Sequence, residues 1–561
     1  MPSVSRLVAE LTHLRSSFEP AHLKLKERLL LQLQDSPIER PATLFALHEC
    51  LLFLLAHPHS AAFAGMTQTL LDKVCGGIRK HIRTSGKEGL FEHSGLGGTH
   101  VVACFSFELL QWLLSKFPGK IAFDSFGATE EQVSATLLPL LPWPLREHFS
   151  EGEHHSSTHW MDESVSPDRY KQLQFIVALY EHAGMPQALR NRYFDQLEIF
   201  VDVDLEALPG RSEIRGRKRA LYFHREPLLR KADPALILAE KLPPAVPMKE
   251  KEKEQLLQSI RWQLLCLYRE TDPASYADLN DLEVYDAGRG MDIVLLGMDA
   301  PHRHPLDTYI GFMAFKNRLP YAYGGAWMLG KMAKIGINVF PSYRGGESAW
   351  FFAQLMRVYK QVFQPEYFVA EPYQVGRHNP EGIETGAFWF YYRLGFRPVQ
   401  KKLRDLAAKE YSRLQADRQY KSSHRFLEKL VEDEMVLVTD GGSALPEGKY
   451  DTSALSGALT KYIRQRYKGD AQKALRESVS ALCAGLRISN EGVYRNLLPG
   501  LEKIALYLQA GGGIGKWNSS EKQDLLNMIA EKALGRDSSY AKAFARHERL
   551  GTLLGKLAAK K

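Results

Sequence analysis

Arg344-Gly345-Gly346-Glu347-Ser348-Ala349-Trp350 decides how this chain is read, because an apolar strand runs into it and an amphipathic helix runs out. Upstream, Ile335 to Phe340 has the composition of a short strand, broken by Pro341. Downstream, Phe352, Leu355, Met356, Tyr359, Val362 and Phe363 recur at offsets of three and four, so one helical face is apolar, while Gln354, Arg357, Lys360 and Gln361 fall mostly on the other. Strand, glycine loop and helix in that order put free backbone N–H groups at a helix N-terminus. Paired glycines let a ligand approach the backbone, and the helix dipole adds partial positive charge. Arg344 adds a full one, and the stretch is expected to cradle an anion.

The next residues narrow this. Tyr367-Phe368-Val369-Ala370 reads as a strand, Gly386 to Leu394 as a helix stopped by Gly395, and Phe396-Arg397-Pro398-Val399 as the start of another strand. Over roughly residues 260 to 400 the chain resembles the GNAT N-acetyltransferase superfamily, whose core runs strand, arginine/glycine pyrophosphate loop, helix, strand, helix ending in Tyr-x-x-x-Gly-Phe, strand. Tyr391-Tyr392-Arg393-Leu394-Gly395-Phe396 matches the last pattern as it stands. The loop keeps Arg344 and Ala349 but carries Glu347 where the family has its middle glycine. An acidic side chain beside a pyrophosphate is unfavourable unless it turns away or pairs with Arg344.

The resemblance implies an α+β fold, with a central GNAT-like mixed sheet and helices on both faces, flanked by all-helical N-terminal and C-terminal domains. It implies acetyl-CoA or another acyl-CoA, with no metal, in the splay between the strands Ile335 to Phe340 and Tyr367 to Ala370. The cofactor-binding residues would be Asn338, Val339, Phe340, Arg344, Gly345, Gly346, Ser348 and Ala349. Glu384, which stands where many members carry an asparagine for the pantetheine arm, would complete them. Tyr391 falls on the tyrosine that protonates the departing thiolate, although the run Phe388 to Tyr392 is equally consistent with plain aromatic packing. Amine attack also needs a base. Glu371 is the candidate, with Glu384 and His378 behind it, and an ordinary strand-end carboxylate is its plainer reading. The expected function is N-acylation of an amine acceptor of unknown class. The alternative is a non-catalytic binding or assembly protein, in which Glu347 has ended cofactor binding and the helical domains hold a protein or tRNA-like partner.

With 561 residues the chain exceeds what one core usually serves. Helical domains are expected over 1–250 and 450–561, around a GNAT-like domain over 251–440. The break near 250 rests on Pro243-Pro244-Ala245-Val246-Pro247 and the charge alternation after it. The second rests on Thr439 to Gly448. An apolar content of 45% and a charged content of 25% are ordinary for a globular protein. A net charge of +8 fits an acidic partner and nearly as well a neutral one, and no polybasic block supports nucleic acid as the main target. The five scattered cysteines and the absence of a long apolar run lead to the expectation of a cytoplasmic protein without membrane contact.

Four further stretches invite chemistry and are read structurally. Gly95-Leu96-Gly97-Gly98-Thr99-His100 is taken as a flexible entry to a helix Val101 to Leu114, and Gly511 to Trp517 as an interhelical loop lacking the Walker-A spacing. Glu151 to Glu163 is rich in His, Asp and Glu but holds no metal motif, and His302-Arg303-His304 reads as a surface turn between strands. Pro320 and the pair Gly324-Gly325 suggest a bulged or irregular strand, where backbone can be left unpaired for a ligand.

Overall fold

The computed structural model describes residues 3–151, 156–417, 419–440 and 451–559. The chain divides into two compact units. The first holds Met1–Pro227, Glu254–Ser275 and Lys316–Pro320; the second holds Leu228–Lys253, Tyr276–Phe315 and Tyr321–Lys561.

The first unit opens with the helices Val4–Leu14, Pro20–Asp35, Pro41–Ala56 and Ala61–Ser85. Prolines begin two of them, where a missing N–H costs nothing, and Gly86 at φ +64 ends the last. The expectation of an all-helical N-terminal region is corrected here. Strands β1 (His100–Cys104), β2 (Ile121–Phe126) and β3 (Ile199–Asp204) form an antiparallel sheet in the order β1-β3-β2. The glycine stretch before Val101 therefore enters a strand, and the helix starts only at Phe107, capped by the Ser106 hydroxyl. Alternation explains β3: Ile199, Val201 and Val203 are buried while Phe200, Asp202 and Asp204 are half-exposed. Gly95 is fixed by close approach, since a Cβ there would lie 1.9 Å from the carbonyl oxygen of Cys266.

The second unit is built on an eight-stranded mixed sheet: β4 (Ala277–Gly288), β5 (Met291–Met298), β6 (Thr308–Lys316), β7 (Leu319–Leu329), β8 (Met332–Val339), β9 (Tyr367–Ala370), β10 (Arg397–Pro398) and β11 (Met435–Val438). Their order is β10-β11-β9-β8-β7-β6-β5-β4, so the last strand in the chain inserts between β9 and β10. β4 with β5, β7 with β8, and β11 with both its neighbours are antiparallel; β8 with β9 is parallel. The helix Ser348–Phe363 supplies the crossover between the parallel strands. The expected bulge at Gly324-Gly325 is absent from the β7–β8 ladder, which runs without a register shift from Ala322↔Val339 to Leu329↔Met332. Those glycines are needed for close approach: a Cβ at Gly324 would lie 2.3 Å from the Gly336 carbonyl oxygen, and one at Gly325 would meet the ring of Tyr309.

The C-terminal helices Thr452–Tyr467, Ala471–Leu486, Glu491–Ala510, Ser519–Ala533, Asp537–Arg546 and Glu548–Ala558 belong to this same unit. Leu455, Leu501, Leu525 and Leu554 share one buried cluster with Leu306, Leu329, Met332, Val369 and Val436 of the sheet and its connections. Arg303, expected in a surface turn, is only 4% exposed. Its Nε donates to the Met298 carbonyl (2.9 Å), Nη1 to those of Glu531 and Lys532 (3.2 Å each), and Nη2 to that of Gly535 (2.7 Å). A guanidinium thus adds donors at the carbonyl end of the helix Ser519–Ala533. Gly511 to Trp517 is the interhelical loop expected of it, with Trp517 buried. Residues 441–450, read as a boundary, and Gly152 to His155 of the His-rich stretch lie outside the described residues. Among the described residues no helix is long and apolar enough to cross a membrane.

Candidate functional site

The parallel pair β8–β9 is joined over three positions only, Met332↔Tyr367, Ala333↔Phe368 and Lys334↔Val369. Beyond Lys334, β8 runs on to Val339, while β9 ends at Ala370 and Pro372 opens a short helix, Pro372–Val375. The strands therefore part, and a cavity of about 100 Å³ lies where they do. Lys334, Ile335, Gly336 and Asn338 line it from β8, Gly324, Gly325 and Trp327 from β7, Tyr309 from β6, and Glu371 and Gln374 from beyond β9. Lys334 Nζ donates to Glu371 Oε1 (3.0 Å), linking one rim to the other. Tyr309 stacks on Trp327 at 4.6 Å and 12°. Gly336 carries no Cβ because one would stand 2.8 Å from Gln374 Nε2.

At the far end of β8 the loop Arg344 to Glu347 precedes the helix Ser348–Phe363. No side chain caps this helix, and Gly345, at φ +81, faces open space. The first-turn amides are thus presented to an anion without a competing carboxylate or hydroxyl. Glu347 is turned from the loop and paired with Arg289 rather than Arg344. The residue is 0% exposed. Its Oε1 accepts from Arg289 Nη2 (2.6 Å) and Nε (3.0 Å) and from the Leu229 N–H (3.1 Å). Arg289 is the first residue of the two-residue β4–β5 turn, at φ +50 with Gly290 at φ +77. Such turns favour Asn, Asp or Gly, so an arginine there is held by what its side chain does. Arg344 is half-exposed and reaches Glu381 Oε1 at 2.7 Å.

The sequence-derived residues divide accordingly. Asn338 and Glu371 meet at the cavity. Arg344, Gly345, Gly346, Ser348 and Ala349 form the loop and first helical turn. Val339 ends β8, and Phe340 stacks on Tyr323 at 5.4 Å. Tyr391 is not among the cavity residues. It is buried against Phe352, Phe390 and Phe396 at 5.3–5.5 Å, and burial pushes its hydroxyl well above the ordinary phenol range. Glu384 is exposed at the end of the short helix Pro380–Glu384, and His378 is exposed at φ +55. Lys334 and Gln374 escaped sequence reading. Pro372 immediately after the strand was the available signal, because it marks a helix start that brings Gln374 back over β8. No family model, no curated protein and no solved structure matches the chain.

Proposed function

We propose that the second unit is an acyl-CoA-dependent N-acyltransferase of GNAT type, acting on an amine acceptor. The observation that carries this reading is the parting of the parallel strands β8 and β9 after three paired positions, with a small polar cavity in the gap and an uncapped helix N-terminus at the end of β8. Strands that separate leave backbone N–H and C=O groups available to an extended ligand. The residues present suit the cofactor in part: the amides of Gly345, Ser348 and Ala349, with Arg344, would hold its pyrophosphate, while the Gly346 N–H already donates to the Tyr343 carbonyl (3.3 Å) and Glu347 pairs with Arg289. Bound acyl-CoA would supply an activated acyl group. Within the cavity Glu371 would accept a proton from the amine, either directly or through a water, and Lys334 would hold that carboxylate in place. Tyr391 would act as proton donor only if the aromatic cluster around it opens, so Glu371 is the residue on which this reading leans.

The binding-protein alternative draws on one observation, the ion pair that engages Arg344 with Glu381. Titration calorimetry of the full chain with acetyl-CoA and with CoA separates the two. Saturable binding of both, weakened in Arg344→Ala, supports acyl transfer. Failure of either to bind at millimolar concentration removes it.

A further inference from the structure

The first unit contains a cavity of about 310 Å³ that takes no part in the proposed acyl transfer. Its walls are largely apolar, from Leu55 and Ala64 on neighbouring helices and from Leu221 and Leu319. Its polar lining is Gln68, Arg215, Asn317 and Arg318, and no carboxylate among the described residues lines it. Arg215 is fixed: Nη1 donates to the carbonyls of Ser212 (2.6 Å) and Ile214 (2.9 Å), and Nη2 to Gln68 Oε1 (3.2 Å). The Gln68 amide nitrogen in turn donates to Asp72 Oδ1 (2.8 Å). Asn317 holds the wall by donating to the carbonyls of Ala56 and Tyr222 (3.0 Å each) and accepting from the Tyr222 N–H (2.8 Å).

Arg318 differs from the other three. Its Nε is buried and has no hydrogen-bond acceptor among the described residues. It also sits at φ +71, the second position of the two-residue turn Asn317-Arg318, which glycine normally fills. A side chain kept at a strained backbone position, with a desolvated donor left unsatisfied, costs stability on both counts. Nε itself is closed off from the cavity, but no hydrogen bond or ion pair among the described residues engages the terminal nitrogens of this cavity-lining guanidinium, and these are open to an acceptor supplied from outside.

We propose that this cavity binds a small organic anion, a carboxylate or a phosphate monoester with an apolar body, and that the Arg318 guanidinium takes the anionic group. The planar fork of donors suits either oxyanion, the second fixed guanidinium adds to the local positive potential, and the apolar walls bury the rest of the ligand. The proposal is independent of acyl transfer.

Calorimetry of the full chain with phenyl phosphate, phenylacetate and benzyl alcohol tests it. At least one of the two anions should bind saturably, at least about tenfold more tightly than the alcohol. Arg318→Gly removes the guanidinium and relieves the backbone, so that anion's affinity should fall at least about tenfold while Tm holds or rises. Arg318→Lys keeps a charge without the fork and should also weaken binding. Which anion wins identifies the headgroup. Absence of saturable binding by both anions at about 10 mM, equal binding of the alcohol, or unchanged affinity in Arg318→Gly and Arg318→Lys would each overturn the assignment.

Discussion

Replacing Glu347 by glycine would give the loop the residue that GNAT loops carry, yet the structure predicts a loss of stability and no gain for a bound pyrophosphate. The carboxylate accepts three hydrogen bonds, two from Arg289 and one from the Leu229 amide, at a site with no solvent exposure. Removing it takes an acceptor from a guanidinium that is only 15% exposed and from the Leu229 amide. Breaking a buried pair from one side costs about 3–5 kcal/mol, and glycine at the position before the helix adds a few tenths at most. Arg289→Met should cost a similar amount, and Glu347→Leu with Arg289→Met should recover much of the loss, since two apolar groups leave no orphaned charge. Chemical denaturation followed by tryptophan fluorescence of the wild type, Glu347→Leu, Arg289→Met and the double variant gives the four corners of the cycle, with Trp350, beside Arg289, as a local reporter. A coupling of about 2 kcal/mol or more is expected. Single replacements that each cost under about 1 kcal/mol, or a tenfold tighter grip on CoA in the glycine variant, would refute the reasoning.

Gly336→Ala should push Gln374 into the gap between β8 and β9 and weaken acyl-CoA binding with little change in Tm, because the clash is with a flexible side-chain end; calorimetry and a melting curve on the same sample check both halves. Asp281, buried at the end of a hydrogen bond from the Ser538 amide (2.9 Å), has its carboxyl pushed by that burial from 3.8 up to about 6. The folded state thus binds a proton the unfolded chain has released, so this group's contribution falls as pH rises from about 4 to 6, by at most about 3 kcal/mol. Asp281→Asn should flatten that part of the stability–pH profile, and an unchanged slope would exclude Asp281 as its source. Arg303→Met should lower Tm by several degrees, since four buried hydrogen bonds to carbonyls are lost; an unshifted melt would deny the residue its anchoring role.

What the sequence disclosed and what it withheld follow from range. Strands β4 to β9 and the helix Ser348–Phe363 are legible because alternation, apolar periodicity and turn residues act over a few positions. The anion-cradle reading of Arg344 to Trp350 was local in the same way. β1 was hidden, because five residues leading directly into Phe107 look like the start of the helix, and the partner that makes them a strand, β3, lies about a hundred positions on. Arg303 appeared to belong in a turn, since three of its four carbonyl acceptors lie 228 or more positions away. Arg289 carried no local sign of meeting Glu347, 58 positions later. The left-handed conformation of Arg289 and Arg318 is invisible in composition, which would have placed Asn or Gly there.

The shared core of the sheet and the C-terminal helices also sets a timetable for synthesis. Leu306, Leu329, Met332, Val369 and Val436 are all made before Leu501, Leu525 and Leu554, which cover them. Until the helices Glu491–Ala510 to Glu548–Ala558 leave the ribosome, one apolar side of the nascent sheet lacks its lid, and at some 5–20 residues per second that interval runs to several seconds or more. The second unit therefore completes its core late in elongation, and ribosomes stalled after β11 would display a sticky, half-clothed sheet.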